Sequence, residues 1–300
     1  MMERRKDQLG RDAHSEMLKK ERRANSAWNM LKRNKTAMFG LGIVCIMLFM
    51  VAGANFLAPY DPNALKLGST YLKPFSAGHI LGTDEFGRDL LSRIIYGSRI
   101  SILVAIGATF IGGLIGVLLG LVSGYMGGVI DSIVMRIMDG MLAFPFVLLS
   151  IILMTILGTG VFNVILAIGI ANIPSFARIV RGQVLIVKNE EYCNAVRVIG
   201  ASGPRLLFSH ILPNALSPII VYATLNVAGA IISEAALSFL GLGITPPTAS
   251  WGNILRAGKD SLNTAPHIAT ISGIFILLTV LGFNLLGDGI RDVLDPKMKK

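Results

Sequence analysis

Long, nearly uninterrupted apolar runs constrain this chain more than any other feature of it. A helix needs about 20 mostly apolar residues to cross the hydrocarbon core of a bilayer. The first such run is Met38 to Leu57, closed by Ala58-Pro59-Tyr60-Asp61-Pro62, and the second is Ile100 to Val122. The stretch from Met141 to Ala177 is too long for one helix, and Gly158-Thr159-Gly160 divides it into two spans joined by a tight turn. Ala215 to Leu240 and Ile268 to Leu286 bring the expected count to six. Composition agrees, with 53% hydrophobic and only 15% charged residues, against about a quarter charged in soluble domains. The expected fold class is therefore all-α, a polytopic membrane helix bundle.

Charge distribution orients the bundle. With the N-terminus placed inside, the segments on that side hold 21 Lys and Arg residues against 7 outside. Both termini are then expected in the cytoplasm. Residues 1–37 read as a cytoplasmic tail ending in an interfacial helix near Trp28, Leu31, Lys32 and Arg33, 38–57 as the first span and 58–99 as an extracytoplasmic loop. Residues 100–290 form a five-helix core that includes a cytoplasmic loop at 178–214, and 291–300 form a second cytoplasmic tail. No apolar signal core opens the chain, so the first span serves as its own insertion signal. The net charge of +10 belongs to this membrane pattern, and nucleic acid is not an expected partner.

Several local patterns carry more specific information. Gly112, Gly116, Gly120 and Gly124 recur every four residues, which puts them on one helix face where another backbone can approach closely. Asp84 to Arg88 and Asp89 to Arg93 are i,i+4 pairs of opposite charge, as expected on a solvated interfacial helix. Segment 178–214 reads as two short helices, about Glu190 to Ile199 and Pro204 to Ile211. Gly200 takes the helix-ending position, Ser202-Gly203-Pro204 restarts the chain, and Pro213 separates the second helix from the next span. Two capped helices with small residues at Ala195 and Gly200 suit a docking surface for another protein. Glu234 is the one acidic residue well inside a span, with Ser238 one turn on and Asn226 and Ser233 on a neighbouring face. An intramembrane carboxylate marks either a translocation pathway or a buried, hydrogen-bonded packing site.

Other chemistries lack their residues. There is no G-x-x-x-x-G-K-S/T phosphate loop and no H-E-x-x-H motif, and the four histidines have no metal-ligand spacing. Cys45 and Cys193 lie in unlike surroundings and do not suggest a disulfide. No catalytic site, metal or cofactor is expected on this chain. An ion-coupled transporter or channel would need more intramembrane charge than Glu234 alone, and a membrane-embedded enzyme would need paired acid–base groups.

Asn194-Ala195-Val196, followed by Gly200 and Leu212-Pro213, resembles the "EAA" loop of permease subunits of ATP-binding-cassette importers. Asn194 stands where that motif has its glutamate, Val196 replaces its second alanine, and Glu191 sits a turn earlier. Leu81-Gly82-Thr83-Asp84 with Gly87-Arg88-Asp89, then Ser238-Phe239-Leu240-Gly241-Leu242-Gly243, then Phe283-Asn284-Leu285-Leu286-Gly287-Asp288-Gly289-Ile290-Arg291-Asp292 resemble the dipeptide, oligopeptide, glutathione and nickel branch. The resemblance implies a type I importer permease fold in a bacterial plasma membrane. It also implies a heterodimer with a homologous second permease, two cytoplasmic ATPase subunits that bind the ATP and Mg, and an extracytoplasmic solute-binding protein. Glu191, Asn194, Ala195, Gly200, Ala201 and Pro213 would form the ATPase-coupling loop. The implied solute is a di- or oligopeptide, with glutathione or a nickel chelate as alternatives.

Overall fold

The structure, a computed structural model, describes residues 28–294 other than residue 77; readings placed on 1–27 and 295–300 lie outside the described residues. Among the described residues, after a short helical stretch at 28–33, come nine α-helices and one 3-10 turn at Leu67–Ser69: α1 Lys35–Leu57, α2 Leu90–Met126, α3 Gly128–Leu142, α4 Phe146–Leu157, α5 Val161–Val187, α6 Glu191–Val198, α7 Gly203–Phe239, α8 Trp251–Asp260 and α9 Pro266–Leu294. No strand occurs among the described residues. Five of the described helices (α1, α2, α5, α7, α9) are long and apolar enough to cross a membrane. The sixth span exists only if α3 and α4 count as one, and they meet at a bend of 91°. The expected span from Met141 is thus a 12-residue helix, α4, set nearly at right angles to an amphipathic one. Pro145, at the N-cap of α4, explains the break, because the residue before a proline is turned away from helical geometry.

The parallel pair α2–α5, in which Gly112 to Gly124 run alongside Gly169 to Val184 in the same direction, is the spine of the bundle. Added Cβ atoms at Gly112, Gly116, Gly120 and Gly124 would lie 2.5–2.9 Å from atoms of Gly169, Asn172, Phe176, Ala177, Val180 and Val184. Only glycine lets these helices approach so closely. A second notch joins the first and last spans, where Gly40 and Gly282 bring α1 against α9. At one end, Asn34 caps α1 through the Ala37 N–H (3.1 Å) and donates to Asp292 on α9 at 3.0 Å.

Three details depart from the sequence reading. Helix α2 starts at Leu90, ten residues before the expected span, because Asp89 caps it by accepting from the Ser92 N–H at 2.7 Å. Its 37 residues make about 55 Å of helix, so it rises well past the bilayer core. Secondly, Pro213 does not separate two helices. A wide π-type turn at Leu207–Ile211 shifts hydrogen bonding to i−5 just ahead of it, absorbing the missing N–H, and α7 runs on. Thirdly, Asp84 and Arg88 lie on a buried loop, not on a solvated helix. Asp84 accepts from the Phe86 N–H (3.0 Å), the Arg88 N–H (2.9 Å) and Arg88 Nε (2.6 Å), with Arg93 Nε at 3.4 Å. Arg93 also donates to the Pro62 carbonyl at 3.0 Å, and His79 Nδ1 sits 2.7 Å from Asp89. Glycine is required at Gly87, where φ is +72° and a side chain would collide with the Lys66 carbonyl. This knot, with α8, caps the end of the bundle opposite α6.

Candidate functional site

Helix α6 and the turn after it form a compact, outward-facing joint. Cys193 is wholly buried, packed with Leu121, Val180, Val184, Leu206 and Ile211, and Val196 lies half-buried against the same cluster. That inward stripe seats α6 on the ends of α2, α5 and α7. The helix ends in a complete Schellman motif: the Gly200 N–H donates to the Arg197 carbonyl (3.1 Å) and the Ala201 N–H to the Val196 carbonyl (3.3 Å). Gly200 has φ +89°, the left-handed conformation that a side chain disfavours. Glu191, Asn194, Ala195, Gly200 and Pro213 are exposed and Ala201 is half-buried. The surface also carries Val198 and Ile199, 88% and 86% exposed, two residues that the sequence reading passed over. Their signal was in the helical period: Cys193 and Val196 mark the inward stripe, which leaves Val198 on the outside.

Polar contacts brace this joint from below. Arg181 on α5 binds Asp131 on α3 through two bonds of 2.6 Å, and Ser123 on α2 also donates to Asp131. Lys188 donates to the Gly124 carbonyl at 2.7 Å, and Arg178 pairs with Asp139 at 2.5 Å. These contacts tie α2, α3 and α5 together beneath α6.

Glu234 lies elsewhere, near the opposite end, and is fully buried. Its two carboxylate oxygens accept from Ser101 on α2 and Ser238 on α7, each at 2.9 Å. The Ser101 hydroxyl accepts in turn from the Trp251 N–H at the start of α8 (3.2 Å), and Ser238 from the Ile244 N–H (3.2 Å). The side chain thus opens to no surface of the chain and joins three elements. Asn226 makes a separate bridge, donating to Asn172 on α5 at 3.0 Å and accepting from Thr109 on α2 at 3.2 Å. Ser233 returns its hydroxyl to the Gly229 carbonyl and is half-exposed. The four residues named together from the sequence therefore occupy three environments along α7. Among the described residues no group of His, Cys, Asp and Glu could hold a metal ion.

A bundle of apolar spans with one braced, outward-facing surface helix defines a multi-pass membrane protein. The family follows from comparison with known proteins. Residues 116–300 match the model of the binding-protein-dependent transport system inner membrane components, and residues 24–74 match the N-terminal transmembrane domain of oligopeptide transport permease C. The chain is 46% identical over 273 residues to the glutathione transport system permease protein GsiD of Salmonella typhimurium, covering 91% of this chain and 90% of that one. It is 42% identical over 277 residues to the di/tripeptide transport system permease protein DppC of Pseudomonas aeruginosa, covering 91% of both. It belongs to the family of binding-protein-dependent transport system inner membrane components, and is a multi-pass permease subunit of an ATP-binding-cassette transporter.

Proposed function

We propose that this chain forms half of the translocation pathway of an importer for di- or oligopeptides, and that α6 with Gly200 is its mechanical joint to two cytoplasmic ATPase subunits. The observation that carries this reading is the exposed Val198–Ile199 pair on a glycine-capped helix seated in its own small core. Exposed apolar side chains on a rigid base suit burial against a partner. Hydrolysis of ATP then belongs to the partners, and closure of the ATPases pushes α6 against the α2–α5 spine. A homologous permease completes the pathway and an extracytoplasmic binding protein delivers solute at the end capped by α8. Both termini and α6 lie in the cytoplasm, as the asymmetry of Lys and Arg indicates. Glutathione is the second reading, favoured by the identity to GsiD proteins.

The test is purification of the whole complex carrying Val198→Asp with Ile199→Asp. Burying two new carboxylates at an apolar contact is unfavourable, so ATPase subunits should be lost from the complex while the two permeases stay paired. Leu65→Trp, at the other end, should leave ATPase association as in the wild type. Full ATPase retention and normal uptake of dipeptide by the double variant would reject the joint.

A further inference from the structure

A cleft of about 600 Å³ opens where α5, α7 and the end of α9 meet, at the same end of the bundle as α6. Its lining includes Gln183 of α5, Ser217, Val221 and Tyr222 of α7, and Arg291 of α9. Elsewhere the lateral surface presents large apolar side chains, such as Phe39 and Phe49 on α1, Phe110 on α2 and Leu277 on α9. A guanidinium and several neutral polar groups are costly against lipid, so the cleft faces water or protein. Arg291 makes no ion pair among the described residues, whereas its neighbour Asp292 is held by Asn34. Asn214, also in the lining, donates its amide to the His210 carbonyl at 2.6 Å, but Gln183, Ser217 and the Tyr222 hydroxyl have no side-chain partner among the described residues. Tyr222 is fixed edge-on by Phe176, with ring centroids 4.7 Å apart.

Polar groups around one cation, most of them without a side-chain partner among the described residues, in a cleft of small-molecule size describe a ligand site. We propose that this cleft is an exit subsite of the pathway, in which Arg291 receives the carboxylate of a passing peptide-like solute. Gln183, Ser217 and Tyr222 supply neutral hydrogen bonds to its amides. A planar guanidinium suits this task because it can meet a carboxylate with two parallel bonds. The inference rests on the importer reading above and adds to it the chemical group that is recognised on this side and the residues that recognise it.

The experiment uses the whole complex in vesicles, with dialanine and glutathione as probes, and measures solute imported per ATP hydrolysed. Arg291→Gln should lower that ratio about tenfold, as expected for loss of one charged hydrogen-bond partner, and Arg291→Lys should recover part of it. Ser217→Leu, which narrows the cleft and leaves the cation, should lower the ratio for glutathione more than for the smaller dialanine. If import and hydrolysis fall in step, or neither changes, the subsite is rejected and the importer reading stands. A defect present in vesicles containing phosphatidylglycerol but absent in pure phosphatidylcholine would assign Arg291 to a lipid headgroup instead, which also rejects the subsite. A wild-type complex that imports neither probe counts against the peptide reading itself, and the subsite falls with it.

Discussion

Glu234 was visible in the sequence because a carboxylate stands out in an apolar span, yet its surroundings were not. Its partners Ser101 and the α8 start lie 133 residues before and 17 residues after it in the chain, and only the fold brings them together. The hydroxyl donors and complete burial favour a packing role over contact with solute. Glu234→Gln keeps an acceptor for one serine and should assemble normally, with uptake within about twofold of wild type. Glu234→Ala removes both acceptors and leaves a void and unpaired hydroxyls, at about 1–3 kcal/mol. Thermal unfolding of the purified complex should show the alanine variant well below the glutamine one. Normal stability of Glu234→Ala with lost uptake would instead place the carboxylate in transport. Gly200 was legible for a simpler reason: its helix-ending conformation depends on local sequence alone.

At the scale of elements, helices were read far better than loops. The four-residue glycine spacing shows one face, and that face is where α5 packs. Gly116→Leu should drive a branched side chain into Phe176 and the Ile173 carbonyl; overpacking of this kind typically costs about 1–3 kcal/mol, occasionally more. Because backbone is in the way, the upper part of that range or a failure to insert is expected, measured as the yield of folded complex. The loop at 82–93 misled because an i,i+4 charge pair has the same spacing in a helix and in a tight loop. Nothing in that spacing reveals burial, and Asp84 and Arg88 are only 2% and 5% exposed. Asp84→Asn leaves Arg88 and Arg93 buried without their shared anion, a change worth about 3–5 kcal/mol for a buried pair. Glu85, half-buried beside them, has its carboxyl pushed above the usual range, chiefly by desolvation on burial, and reaches Arg88 only at 3.4 Å. The variant should lose stability, and a melting temperature equal to wild type would show that the knot contributes nothing.

For the whole molecule, the number of spans and their direction turn on the α3–α4 bend. Charge asymmetry needs only the positions of Lys and Arg, so orientation could be argued before any fold was known. The bend could not, because Met141 to Leu157 is mostly apolar and reads as one span straight across Pro145, while α3 ahead of it carries Val129, Ile133 and Ile137. In the structure these side chains are exposed on an amphipathic helix whose Asp131 and Asp139 are tied to α5, so α3 is held at the α5 end that carries α6. Counting the bent α3–α4 pair as one pass, with α4 as its apolar part, keeps an even number of passes and puts the start of α1 and the end of α9 on one side. Twelve residues make about 18 Å of helix, short of the roughly 30 Å hydrocarbon core. The α4 crossing therefore needs water or protein at one of its ends. Single cysteines test this directly in a background with Cys45→Ala and Cys193→Ala. An impermeant thiol reagent applied to intact cells should label Leu65→Cys and Thr245→Cys, and should leave Ser202→Cys unlabelled until the membrane is opened. Ser132→Cys, on α3, should behave like Ser202→Cys, because α3 lies at the same end of the bundle as α6, the end that the proposed orientation puts in the cytoplasm. Labelling of Ser132→Cys on intact cells would mean that α3 reaches the outer surface, and would overturn the even count and the shared location of the termini together.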